Sequence, residues 1–222
     1  MFIGHFALGF AAKKVAPKAS LPTLFAASVF ADILWPVFLA LGAEEVVIDP
    51  GNTVMTPLHF VSYPYSHTLV MLVMWGVLFG GLYLALTKDS RGAGVLAALV
   101  ASHWVLDWIT HGPDMALYPG GEMFGLGMWN SPGLTWAVEL TMFVIGVGIY
   151  ARATRARDAR GKWGFRVLVL LFLVAYLGDA AMEAPPPSVR VIWISALVAT
   201  AITLLLTWWV DRHRQPTSIE HM

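Results

Sequence analysis

The 222-residue chain contains no cysteine, and its charged residues amount to only 13% of the total, with a formal net charge of zero. The first absence excludes disulfides and confines any metal site to nitrogen and oxygen ligands, which means His, Asp and Glu. The second leaves no basic field, so no nucleic-acid partner is expected. No internal repeat or low-complexity tract is visible. What is abundant is apolar: 58% of the residues are hydrophobic. Runs of about 20 such residues recur along the chain, the length that crosses a bilayer as a helix. The fold class implied is all-α, a polytopic helical membrane protein in a single domain, 1–222.

Six spans are expected, at 21–41, 67–86, 94–111, 134–151, 165–181 and 191–210. Between the fourth and fifth, Arg152, Arg155, Arg157, Arg160, Lys162 and Arg166 face one acid, Asp158, and this positive excess marks a cytoplasmic loop. Alternation then puts Lys13, Lys14, Lys18, Lys88, Arg91, Arg212 and Arg214 on the same side. The opposite loops, 42–65 and 112–131, hold Glu44, Glu45, Asp49, Asp114 and Glu122 and no Lys or Arg. Both termini are therefore expected in the cytoplasm, with 211–222 as a polar tail. In "MFIGHFALGFAAKKVAPK" the basic residues follow the apolar stretch, the reverse of a secretory signal, so the segment is expected to be retained. As a helix, 2–12 is about 17 Å long, too short to cross, and its apolar residues surround the axis. A short N-terminal re-entrant helix covered by the spans is expected.

Ionisable side chains inside a span cost several kcal/mol unless paired or metal-bound. His5, Asp32, His67, His103, Asp107 and Glu139 qualify. Counted from the cytoplasmic side, Asp32 and His103 lie roughly 14 to 17 Å deep, His5 can approach that level, and Asp107 is one turn further out. His103 and Asp107, in "SHWVLDWITHGPD", are four residues apart and share a helix face. No Lys or Arg lies inside another span to neutralise Asp32, Arg166 standing at the very end of the fifth. Such a set suits a divalent ion such as zinc, which lowers the pKa of bound water to about 7. Glu139 is a candidate general base, and Gly112-Pro113 makes His111 a helix end and only a reserve ligand. Trp104 and Trp108 are expected to pack, Asp179 and Glu183 to make interfacial contacts, and His213 and His221 to be solvated.

The order His5, Asp32, Ser66-His67, His103-x-x-x-Asp107 resembles the YdjM-like family of predicted membrane-bound metal-dependent hydrolases, over roughly residues 1–120. It is also similar in ligand order to the soluble zinc-dependent phospholipase C and P1 nuclease group. The resemblance implies that His5, Asp32, His67, His103 and Asp107 are metal ligands and places the chain in a bacterial inner membrane. The family's usual Pro-Asp-x-Asp is replaced by "FADILWP", with one carboxylate, and no arginine precedes the Ser-His in "VSYPYSHT". The activity implied is hydrolysis of a phosphoester or other ester of a lipid or lipid-linked substrate near the outer leaflet. The alternative is a transporter or channel using the same residues as a proton or metal-ion relay. A serine triad is disfavoured, because adjacent helical residues point about 100° apart and neither Ser66-His67 nor Ser102-His103 is expected to pair within itself.

Overall fold

The computed structural model describes residues 1–180 and 184–217; the side chains of Asp179 and Glu183, and His221, lie outside the described set. Its frame is helical: α1 (Ile3–Ala12), α2 (Leu21–Ser28), α3 (Phe30–Ala40), α4 (Leu69–Thr87), α5 (Ser90–Thr110), α6 (Pro132–Ala153), α7 (Ala159–Ala180) and α8 (Val189–Arg212). Helices α4 to α8 are each long and apolar enough to cross a membrane. Val77, Leu82 and Leu205 are more than 60% exposed, as side chains facing lipid are.

The span expected at 21–41 is instead two half-helices. Ser20 caps α2, its Oγ accepting from the Thr23 N–H, and Pro22 sits in the first turn, where a missing N–H costs nothing. The helix then breaks at Val29 (φ −113°, ψ 27°) and resumes as α3 at a 60° angle. Val29 keeps helical bonds on both sides, its N–H to Phe25 and its carbonyl from Ile33. The Ser28 carbonyl is among those the break leaves without a helical partner, and it accepts from His103 Nδ1 at 3.0 Å.

Helix α1 is almost wholly buried, as its all-round apolarity requires. It packs on α6 at Gly146, where a Cβ would overlap the Ala7 carbonyl, and on α2 at Gly9, where a Cβ would meet the Phe25 ring. Small residues thus let backbones approach where lipid supplies no hydrophobic drive. Phe6, Phe10, Phe25, Phe143 and Phe172 close this side of the bundle with edge-on and tilted rings 4.6–6.2 Å apart, the geometry that the ring quadrupole favours. Helices α4 and α5 pair through Gly76 and Gly80, where a Cβ would come within 2.6 Å of the Ala97 and Ala93 carbonyls.

The loops carry more order than their composition suggests. Strands β1 (Glu45–Ile48) and β2 (Leu58–Ser62) form one antiparallel hairpin and β3 (Met115–Ala116) with β4 (Met123–Phe124) a second. Nor is 211–222 simply a polar tail: β6 (Arg214–Pro216) pairs with β5 (Thr154–Ala156). The buried Arg214 donates to Thr154 Oγ1, Thr154 O and Gly161 O, with its guanidinium over the Tyr150 and Phe165 rings. His213 Nδ1 lies 2.8 Å from Asp158 Oδ2. Lys13, buried, reaches Asp211 Oδ1 at 3.2 Å and donates to Ala19 O at 2.8 Å. The basic residues around Lys13, the α6–α7 connection and the end of α8 therefore gather at one end of the bundle.

Candidate metal centre

Four pieces of chain supply the polar cluster. Helix α1 contributes His5, α3 contributes Asp32 in its first turn, the turn before α4 contributes His67, and α5 contributes His103 and Asp107. Ligand-type atoms of His5, His103 and Asp107 lie within 4.8 Å of one another, as do those of Asp32, His67 and His103. The five residues that the resemblance implies as ligands thus come together, and the two groups share His103. Asp107 divides its oxygens between them. Oδ1 faces His5 Nε2 at 3.0 Å and the Met1 ammonium at 2.5 Å, while Oδ2 faces His103 Nε2 at 2.9 Å and His67 Nε2 at 3.8 Å. Asp32 Oδ1 is 3.7 Å from both His67 Nε2 and His103 Nε2.

Two imidazoles have their orientation fixed from behind. His103 Nδ1 donates to the Ser28 carbonyl, which turns Nε2 inward as an acceptor. His67 Nδ1 is 2.7 Å from Ser66 Oγ, whose hydroxyl donates to Glu44 Oε2 at 2.6 Å. A serine hydroxyl has a single proton and the carboxylate takes it, so the Nδ1 proton must be on His67 and its Nε2 is again a bare acceptor. The Ser66-His67 pairing corrects the expectation that this dipeptide cannot bond within itself. That expectation assumed helical geometry, and α4 begins only at Leu69. Ser102 does behave as expected, donating to Leu99 O.

Glu44 was legible in the sequence only as one acid of an outer loop. It is 5% exposed, and its Oε1 also accepts from the backbone N–H groups of Tyr65 and Ser66 at 2.9 and 2.8 Å. Helix α5 ends at Thr110 and His111 is extended, as the Gly-Pro predicts. His111 Nδ1 is 3.1 Å from Asp114 Oδ1, which also accepts from Tyr63 OH at 2.7 Å. Burial, and then the negative charge of Asp114, push the Tyr63 phenol well above its ordinary range, so it stays a donor. A cavity of about 120 Å³ beside the hairpins is lined by Tyr63, Asp114 and Met123 and reaches His67. Trp104 packs with its Nε1–H on Ala116 O and its ring stacked 6.2 Å from Trp108.

Glu139 joins neither group of three. Its Oε2 accepts from the backbone N–H groups of Phe2 and Gly4 at 2.8 and 3.1 Å, satisfying orphan donors at the start of α1.

The donor set fits a metal ion. His103 Nε2 is fully buried and without a hydrogen-bond partner among the described residues. It faces a carboxylate oxygen at 2.9 Å, so two acceptors confront each other unless a proton or a cation lies near both. Donors held about 2.0–2.1 Å from a tetrahedral zinc stand roughly 3.3–3.5 Å apart, and the separations of 2.9 to 3.8 Å bracket that spacing. Nitrogen and carboxylate oxygen are the donors zinc accepts in the absence of thiolate.

Comparison with known families settles the chain's kinship. The model of the family described as "YdjM inner membrane protein" matches residues 1–184. This chain belongs to that family. The YdjM match runs well past the five-residue cluster and takes in α1 to α7, with α8 beyond it. Together with its apolar helices it makes the protein an integral inner-membrane protein. No curated protein and no solved structure matches this YdjM chain.

Proposed function

We propose that this chain is a membrane-embedded, metal-dependent hydrolase in which His5, Asp32, His67, His103 and Asp107 hold one or two zinc-like ions. The observation that carries the reading is the convergence of five His and Asp side chains inside the bundle, with two imidazole Nε2 atoms turned inward by bonds to the opposite ring nitrogen. Asp107 turns one oxygen to His5 and the other to His103 and His67, so its carboxylate would help hold an ion on either side. An ion bound there would bring the pKa of a coordinated water to about 7 and polarise a phosphoryl or acyl oxygen.

The residues themselves divide the remaining work. His67 lines the small cavity beside the hairpins, through which water would reach the cluster. Asp32, with a side chain 45% exposed where the other four are nearly sealed, is the ligand that a substrate would touch first. The N–H groups on Glu139 Oε2 support a positioning role for this residue, exerted on His5 through α1, over the general-base role suggested by its depth. With the basic end of the bundle in the cytoplasm, as the positive-inside rule favours, the cavity beside His67 lies toward the outer face. The substrate is then a phosphoester or other ester of a lipid or lipid-linked molecule in the outer leaflet.

Metal analysis of the detergent-purified protein tests this directly, comparing wild type with Asp107→Ala and His103→Ala. Stoichiometric zinc in the wild type, lost in both variants, is expected. Wild-type protein that stays metal-free after incubation with zinc would sink the proposal. Metal-dependent ion flux in vesicles without ester cleavage would favour a relay instead.

A further inference from the structure

Next to the cluster an apolar groove of about 450 Å³ is cut between α7 and α8, with Phe2 and Phe6 of α1 also lining it. On α8 its lining runs from Ala196 to Leu206, ten residues or about 15 Å along the axis. Alanines at 175, 196 and 199 keep it open. Its lining contains one ionisable side chain among the described residues, Asp32. Trp35 also lines it and lies three residues after Asp32, on the same face of α3. Trp35 is 8% exposed, and its indole N–H has no hydrogen-bond partner among the described residues. A buried donor of this kind is rarely left unmatched.

We propose that this groove holds one acyl chain of a membrane lipid, with the lipid's ester or phosphate oxygen at Asp32 and Trp35. A hydrocarbon chain matches the walls of α7 and α8. An acceptor oxygen at its head satisfies the Trp35 N–H and meets the cluster through Asp32. A packed helix from another protein or a second copy would cover the apolar walls and leave the Trp35 donor unmatched. The groove is continuous with the candidate metal centre only through Asp32, so the chain would set which lipid is held while the cluster acts on the head. That last step rests on the hydrolase proposal; the groove itself does not.

The test places the full-length protein in phosphatidylcholine nanodiscs containing phosphatidic acid with a diazirine near the end of one acyl chain, followed by photolysis and peptide mapping. Labelling is expected to concentrate on 168–175 and 196–206 over the equally apolar face of α4 around Val77 and Leu82. Ala199→Trp fills the groove and should lower that labelling by roughly tenfold, as overpacking an apolar site does, with zinc content unchanged. Equal labelling of α4 and the groove overturns the proposal, as does undiminished labelling in a folded Ala199→Trp. Cross-links between two copies across α7 and α8 in place of lipid label overturn it too. Should Ala199→Trp fail to fold, the wild-type ratio between groove and α4 still decides. A wild type that labels selectively but binds no zinc supports the groove and removes the hydrolase; zinc-loaded protein labelled without selectivity does the reverse.

Discussion

The bundle has two unlike halves. In α1, α2, α3 and α5 the helices are short, broken or heavily buried, and they hold the polar cluster. In α4, α7 and α8 they are long and apolar with most of their side chains turned outward, and their charged groups gather at the ends. The difference teaches where a membrane protein can keep charge. A straight span satisfies its own backbone and offers nothing to an imidazole, whereas a break releases a carbonyl such as that of Ser28 to fix one. The break also starts a new helix beside Asp32, and the positive end of its dipole favours the carboxylate.

Removing the centre of the first half should have the largest effect. Asp107→Ala deletes the carboxylate that faces four imidazoles, those of His5, His67, His103 and His111, and zinc affinity measured by competition with a chelator should fall by more than about 100-fold. Next comes the support behind His67. Glu44→Gln and Ser66→Ala should each lower zinc affinity by about 10–100-fold. Because they act through one chain of hydrogen bonds, the double variant should lose little more than the worse single one. An additive double variant would show that they act separately.

Packing changes then set the halves against each other. Gly146→Leu and Gly76→Leu should each cost about 1–3 kcal/mol or more, read as a lower thermal midpoint in detergent. Only Gly146→Leu, which displaces α1 and with it His5, should also weaken zinc binding; equal metal loss in both would erase the distinction. The smallest effect belongs to the basic end. Asp158 is exposed, and the Gly161 N–H, then His213, hold its carboxyl below the usual range. Its contribution is therefore present above the unfolded carboxylate pKa near 4 and is lost as pH falls through the lower folded value. Asp158→Asn should slightly flatten the acid side of a stability profile and leave zinc binding alone.

The helices and the five cluster residues were legible in the sequence for one physical reason. Hydrocarbon makes each buried His or Asp conspicuous, and a spacing of four residues assigns His103 and Asp107 to one face. The break at Val29 was not legible, because no glycine or proline marks it and "LPTLFAASVFADILWP" reads as one apolar run. Its cause is tertiary, the demand of His103 for a carbonyl. Glu44 was hidden likewise, since its partner Ser66 lies 22 residues on, across a hairpin whose turn is polar and irregular. The strand at 214–216 was missed because its pairing with 154–156 spans two helices.

The anchoring of α1 has a consequence for the order of assembly. Its first turn hangs on Glu139, 137 and 135 residues away, and His5 meets Asp107 across 102 residues. Synthesis delivers this helix well before those partners. This ten-residue segment therefore cannot complete its hydrogen bonds until α5 and α6 are in place, so local sequence alone does not hold it.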